Sequence, residues 1–201
     1  ISPTGMADGD NTGSLTLTSS GADVPTLSIE VQAFLKDGKV SVEKVVLVEE
    51  FTGAWCTFCP DGVRVLNELV AEFGHKIAIV AYHNGDVMAT PESNAVIQYI
   101  GIGGYPNAAF DRKLIPGQTN IGITRSMWPA VTRDIIENEV SIVEIEVSNK
   151  EYQTDSKELS LTADVTFLQG VAGDYRLMLV QTTNTRNWAQ VNSGQWVFPY
   201  I

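Results

Sequence analysis

The run Val45-Val46-Leu47-Val48 has no polar alternation, and it reads as a central strand covered on both faces. Behind it the spacing changes: Val63, Leu66, Leu69, Val70 and Phe73 recur at helical intervals. They predict a helix from Cys59 to about Phe73, ended by Gly74. Residues 76–83 form a second buried strand, parallel to the first, and residues 93–100 a short helix closed by Gly101 and Gly103-Gly104. Residues 107–112 make a strand with 114–121 as a weak edge beside it. Residues 123–137 form a last helix in which Pro129 sits early or makes a kink.

The two ends have a different texture. Residues 1–14 are rich in Gly, Asp, Asn, Thr and Ser and read as a flexible leader, whether tether, cloning remnant or frayed terminus. Leu15-Thr16-Leu17-Thr18 is a short strand, and residues 27–35 a better one. The latter runs into Asp37-Gly38, a type I′ hairpin signal that would return residues 39–48 as its second arm. Beyond Asn138 the period is two: Val143, Ile145 and Val147 alternate with Glu144 and Glu146, and Leu159, Leu161, Ala163, Val165 and Phe167 with polar residues. Residues 175–180 make a third strand, reached through 169–173. This pattern predicts an antiparallel unit solvated on one face, which either pairs with the N-terminal strands or lacks its last strand. The chain therefore divides into residues 1–40 (leader and β extension), 41–138 (an α/β domain) and 139–201 (a β-rich unit holding Trp188 and Trp196).

Charge narrows the partners. Thirteen basic residues against twenty-four acidic ones give a formal charge of −11, which argues against nucleic acid and against electrostatic docking on anionic lipid. No apolar run approaches the ~18 residues that a membrane-spanning helix needs. The chain begins at Ile1 without a signal sequence and reads as a mature or trimmed fragment.

The two cysteines of the chain stand together in Trp55-Cys56-Thr57-Phe58-Cys59-Pro60. Placed just before a helix and in its opening turn, such a pair meets unpaired N–H groups and the positive end of the helix dipole. Sites of this kind lower a thiol from ~8.5 to roughly 3.5–7.5, so a nucleophilic thiolate exists at neutral pH. Cys56 is the candidate attacking thiolate and Cys59 the resolving thiol. Pro60 suits an early helical position because its missing N–H would have been orphaned there anyway. A structural disulfide is a second reading, though so short a loop constrains the unfolded chain little. A metal site is a third, with His75 and His83 as the available extra ligands at an unsuitable spacing, and c-type haem attachment lacks the required His after Cys59. His75 reads as a capping or surface residue. His83 reads as a loop histidine without a role, although its place at the end of a parallel strand is where ligands gather.

The segment Glu50-Phe51-Thr52-Gly53-Ala54-Trp55-Cys56-Thr57-Phe58-Cys59-Pro60 resembles the active-site stretch of the thioredoxin superfamily. Gly103-Gly104-Tyr105-Pro106, ahead of Asn107-Ala108-Ala109-Phe110-Asp111, resembles its cis-proline loop, and β-α-β-α-β-β-α is its element order. The resemblance covers about residues 44–138. More closely, Glu49-Glu50-Phe51-Thr52-Gly53 and Gly104-Tyr105-Pro106 look like the Bacteroidetes-type outer-membrane lipoproteins with a thioredoxin-like core, a family named for a twenty-eight-kilodalton member.

The resemblance implies a thioredoxin-like α/β core with a four-stranded mixed sheet and flanking helices, carrying an N-terminal β extension and a C-terminal antiparallel β unit. It places Pro106 against the sulfurs, with the backbone of Tyr105 before it pairing to a substrate strand, and Trp55 beside the first cysteine. Glu50 falls at the position of a buried acid beneath the second cysteine that relays a proton. Alternation puts Glu49 and Glu50 on opposite faces, so only one points at Cys59, and solvation of both at the strand end is the competing reading. Thr57-Phe58 departs from the commoner Gly-Pro between the cysteines, which leaves the redox direction open. The implied function is thiol–disulfide exchange on protein or peptide disulfides in the cell envelope (periplasm or outer membrane), without cofactor or metal, and with a possible lipid anchor upstream of Ile1. The competing function is a surface binding or scaffold lipoprotein in which the thioredoxin-like core is a platform.

Overall fold

The computed structural model describes residues 10–17, 27–35, 41–169, 175–183 and 188–200. In chain order its strands begin with β1 (Asp10–Leu17), β2 (Leu27–Leu35), β3 (Val42–Glu43) and β4 (Val46–Thr52), followed by helix α1 (Cys59–Phe73). Next come β5 (Ile77–His83), α2 (Pro91–Ile100), β6 (Asn107–Phe110), β7 (Ile123–Thr124) and α3 (Trp128–Asn138). The remainder is β8 (Val140–Ser141), β9 (Val143–Gln153), β10 (Glu158–Phe167), β11 (Trp188–Asn192) and β12 (Gln195–Tyr200). The chain divides into two compact units, 1–43 with 140–179, and 44–139 with 180–201.

In the second unit the sheet order is β5-β4-β6-β7, with β4 parallel to β5, β4 antiparallel to β6 and β6 antiparallel to β7. Together with α1, α2 and α3 this is the mixed sheet and element order of a thioredoxin-like core. Strand β4 is central, with Val46 and Val48 buried as the apolar run predicts, but Val45 lies before the strand and is exposed, and burial continues through Glu49, Glu50, Phe51 and Thr52; β5 is a partly exposed edge rather than a fully buried strand. Val46 and Val48 face one core with Leu66, Leu69, Phe110, Trp128 and Ile135, so α1 and α3 cover that side. Phe51 faces the other core with Tyr82, Ile97, Ile100 and Ala109, under α2. Among the described residues no helix is long and apolar enough to cross a membrane.

Several expected elements shift for local reasons. In α1 the buried stripe is Cys59, Gly62, Val65, Leu66 and Leu69, and Val70 is exposed, because the helix packs the face continuous with Cys59. Gly74, at φ +56°, ends the helix as expected, and His75 is exposed in a 3-10 turn just after it. Helix α2 starts two residues before the expected Ser93: Thr90 Oγ1 accepts from Ser93 N at 3.1 Å while Thr90 N donates to Ser93 Oγ at 2.9 Å, a capping box with Pro91 opening the first turn. The edge beside β6 is the two-residue β7, not 114–121, and the last helix begins at Trp128, with Pro129 in its first turn.

The first unit holds a sheet in the order β1-β2-β10-β9, in which β2 lies antiparallel to β1 and parallel to β10. The N-terminal and C-terminal strands thus share one sheet. The expected hairpin returning β2 into β4 does not form, since the neighbours of β2 are β1 and β10; the Asp37-Gly38 turn itself lies outside the described residues. Part of the expected leader, from Asp10, is strand β1, while residues 1–9 also lie outside the described set. Val31, Leu161, Ala163, Val165 and Phe167 build the core of this sheet. Residues 175–180 are not a strand; Tyr175 and Leu177 instead pack on that core, Tyr175 edge-on to Phe167 at 5.2 Å between ring centres.

Glu49 is fully buried on the α2 side of β4. Arg112 donates to it through Nε and Nη2, each at 2.7 Å, and the Tyr82 hydroxyl donates at 3.0 Å. Asp111 and Arg112 both adopt φ near +50° (48° and 52°), the turn that brings the guanidinium back over the sheet. Arg112→Ala leaves that buried carboxyl with the Tyr82 hydroxyl but without its cation, so it is expected to lower the unfolding free energy by roughly 3–5 kcal/mol; urea denaturation monitored by circular dichroism checks it.

Candidate active site

Strand β4 ends at Thr52, and the chain turns through Gly53 to Phe58 before α1 opens at Cys59. The turn is closed by Cys56 N donating to Gly53 O at 2.9 Å and Cys59 N donating to Cys56 O at 3.3 Å. Cys56 and Cys59 form a disulfide, with S–S 2.09 Å and Cα–Cα 5.4 Å. Cys59 is the first helical residue and Pro60 the second. Cys56 is 4% exposed and Cys59 1%. At the rim, Trp55 (41%) and Phe58 (61%) remain open, and the Arg125 guanidinium sits 5.5 Å from the centre of the Phe58 ring. Arg125 and Arg64 also hydrogen-bond Asp61 in the first turn of α1, and they hold its carboxyl below the usual range.

The loop after β5 fixes this turn from one side. Asp86 Oδ2 accepts from Ala54 N at 2.7 Å and lies 2.7 Å from His83 Nδ1, while Oδ1 accepts from Met88 N at 2.8 Å and Ala89 N at 3.0 Å. Burial pushes the Asp86 carboxyl up, but the hydrogen bonds from His83, Ala54 N and Met88 N outweigh it and leave the group below its ordinary value. Trp55 Nε1 donates to Asn84 O at 2.6 Å, and its ring meets Tyr105 edge-on at 5.2 Å. His83, expected as a loop residue without a role, is the last residue of β5 and braces Asp86.

The Tyr105–Pro106 peptide is cis, and Pro106 is buried. Gly62, one turn into α1, shows what meets there: a Cβ at this position would lie 3.1 Å from Glu50 Oε1, 3.2 Å from Pro106 Cβ and 3.2 Å from Trp128 Cη2. The register settles the choice between the two acids. Glu50 pairs opposite Ala108, on the side of Val48 and Phe110 that α1 covers, and Glu49 opposite Ala109, on the side that α2 covers. Both are buried, so the solvated reading is overturned. Glu50 is 3% exposed, its Oε1 accepts no hydrogen bond from the described residues, and burial raises its carboxyl from 4.5 to about 7.

A further set of contacts comes from far along the chain. Val191 N donates to Ala54 O at 2.7 Å, and Gln190 Nε2 donates to Cys56 O at 3.0 Å and Gly53 O at 3.2 Å. These place β11 against the cysteine turn. The structure therefore brings together Cys56, Cys59, Trp55, Tyr105, Pro106 and Glu50, all singled out by the sequence, and adds Asp86 and Gln190. The Asn84-Gly85-Asp86 turn after a predicted strand was the available signal for Asp86. A lone polar residue in an unpatterned tail offered none for Gln190.

The raised Glu50 carboxyl has a sign in stability. Its contribution is fully present below pH 4.5 and is lost as pH rises towards 7, because the unfolded chain releases the proton first. Relative to Glu50→Gln, the wild type is expected to lose on the order of 3 kcal/mol between about pH 4 and about pH 8, read from urea midpoints at the two pH values. Equal pH dependence in both proteins would refute the assignment.

No family model matches the chain, and no curated protein matches it. Among solved structures it is similar to HBP35 of Porphyromonas gingivalis at 23% identity, over 55% of this chain and 38% of that one, with a TM-score of 0.43. It is also similar to a protein from Agrobacterium tumefaciens (18% identity, 59% of this chain and 55% of that one, TM-score 0.36) and to a malarial protein (13%, 45% and 97%, TM-score 0.33). The chain thus spans about 38% of the length of HBP35.

Proposed function

We propose that this chain is a thiol–disulfide oxidoreductase that exchanges with protein or peptide disulfides through Cys56. The observation that carries the reading is the Cys56–Cys59 disulfide at the head of α1. Cis Pro106 and the buried Glu50, which meet at Gly62 in the same helix, support it. In the reducing direction for the protein, an outside thiolate attacks Cys56 Sγ, the Cys56–Cys59 bond breaks, and Cys59 leaves as a thiolate. Glu50, protonated up to about pH 7, is the proton donor for that thiolate. A second thiolate from the outside dithiol attacks its own sulfur in the mixed disulfide and releases Cys56. The outside dithiol is thereby oxidised to a disulfide, and two electrons reside on the cysteine pair. The opposite direction begins with Cys56 thiolate attacking a substrate disulfide, and relative reduction potentials choose between them. The envelope location and lipid anchor implied by the sequence resemblance belong to the same proposal, and the single thiol pair is compatible with either redox compartment.

One observation favours a second reading, a binding or scaffold protein with an inert core: Cys56 is almost fully covered. Equilibration in glutathione buffers separates the two. A potential near ~−120 mV marks a disulfide donor and one near ~−270 mV a reductase, whereas failure to equilibrate supports the scaffold. With an oxidoreductase, Cys56→Ser abolishes exchange and Cys59→Ser accumulates a covalent mixed disulfide, visible on a non-reducing gel; full exchange by Cys56→Ser overturns the assignment.

A further inference from the structure

Thiol exchange needs a nearly linear approach of the incoming sulfur to the sulfur under attack, so whatever stands beside Cys56 filters its substrates. Three sides of the cysteine turn are accounted for. The Asp86 loop holds Ala54 N, the Trp55 ring lies between Asn84 O and Tyr105, and β11 lies along the carbonyls of Gly53, Ala54 and Cys56. The last contact is the unexplained one. It spans 137 positions between Gln190 and Gly53, it uses a side-chain amide aimed at two main-chain oxygens of the turn, and it continues as a main-chain bond from Val191. Val191 is itself buried, so the strand is packed down rather than merely passing by. The hairpin β11–β12 is stiffened by its own antiparallel pairing, Val191 opposite Trp196 and Asn192 opposite Gln195. Cys56 ends up 4% exposed while its neighbours Trp55 and Phe58 stay open.

We propose that Gln190 is a specificity-determining residue that seats the β11–β12 hairpin as a strap beside Cys56, so that the site takes disulfides on narrow, extended chains with apolar flanks and rejects those on the surface of a folded protein. The inference rests on the oxidoreductase reading and narrows its substrate class. An extended chain reaches Cys56 along the open aromatic rim of Trp55 and Phe58, where apolar residues beside its own cysteine find a surface. A broad protein surface meets the hairpin first. Gln190 itself touches no reacting sulfur and acts by holding the strap.

The test reads access rather than turnover, which separates its failure from failure of the oxidoreductase reading. In a Cys59→Ser background Cys56 is the single thiol, and its second-order alkylation is measured with iodoacetamide and with a maleimide carried on a long polyethylene glycol chain. Rates are referred to the same two reagents on an unstructured cysteine peptide. The strapped protein is expected to show a size penalty of about tenfold or more against the bulky reagent. Adding Gln190→Ala, which removes the donor to both carbonyls, is expected to raise the bulky-reagent rate about tenfold and the iodoacetamide rate by less than about twofold. Gln190→Glu, equal in size but without a donor, is expected to match it, which guards against a packing defect in the alanine variant. A size penalty absent from the parent, or unchanged in both variants with far-UV circular dichroism intact, overturns the proposal. A strap confirmed in this way beside a pair that never equilibrates with glutathione would remove the oxidoreductase reading and leave the access filter standing.

Discussion

The second unit is organised by a cost: its central strand buries two adjacent carboxylates. Taking a charge out of water is expensive, and the chain meets that expense in two opposite ways on the two faces of β4. On the α2 face Glu49 is paired with Arg112 and capped by Tyr82, which requires two consecutive left-handed residues after β6 to return the guanidinium. On the α1 face no counter-charge faces Glu50 among the described residues, and burial raises its carboxyl to about 7, so it keeps its proton up to near neutrality. Pairing and protonation are the two ways a protein can keep an acid inside, and here they sit one residue apart. The consequence for the site is that a proton is stored under the helix that carries Cys59, insulated from Arg112 by the sheet.

The same contrast separates what was legible in the sequence from what was not. The apolar run before the cysteines, the helix behind them and the glycine that ends it followed from local periodicity, and the structure has them where the pattern puts them. The cis-proline loop was legible through its resemblance, since a single Tyr-Pro pair carries no local signal for its isomer. The face of Glu50 was legible only as an either-or, because alternation tells that neighbours diverge without telling which side a helix will cover. Burial of Glu50 was legible through the resemblance alone, and that of Glu49 was not legible locally: it depends on Arg112, more than sixty positions away.

Pairing between distant strands accounts for the larger misreadings. Asp37-Gly38 after a strand suggested a return into β4, but β2 is taken by β1 and, in parallel, by β10, which follows the α/β segment in the chain. No local signal competes with such a long-range register. The tail after residue 180 failed for the complementary reason: short, mixed in polarity and interrupted by Ser193-Gly194, it has too few periods to announce a hairpin. What identifies it is the surface it meets, the carbonyl row of the cysteine turn.

That dependence also has an order in time. The cysteine turn, its helix and its proline loop lie within the first 110 residues, while Gln190 and Val191 are synthesised some eighty residues afterwards. At the five to twenty residues per second of chain elongation, the pair spends several seconds of its birth without the strand that later flanks it. The carbonyls of Gly53, Ala54 and Cys56 pass that interval without the donors that Gln190 and Val191 later bring to them.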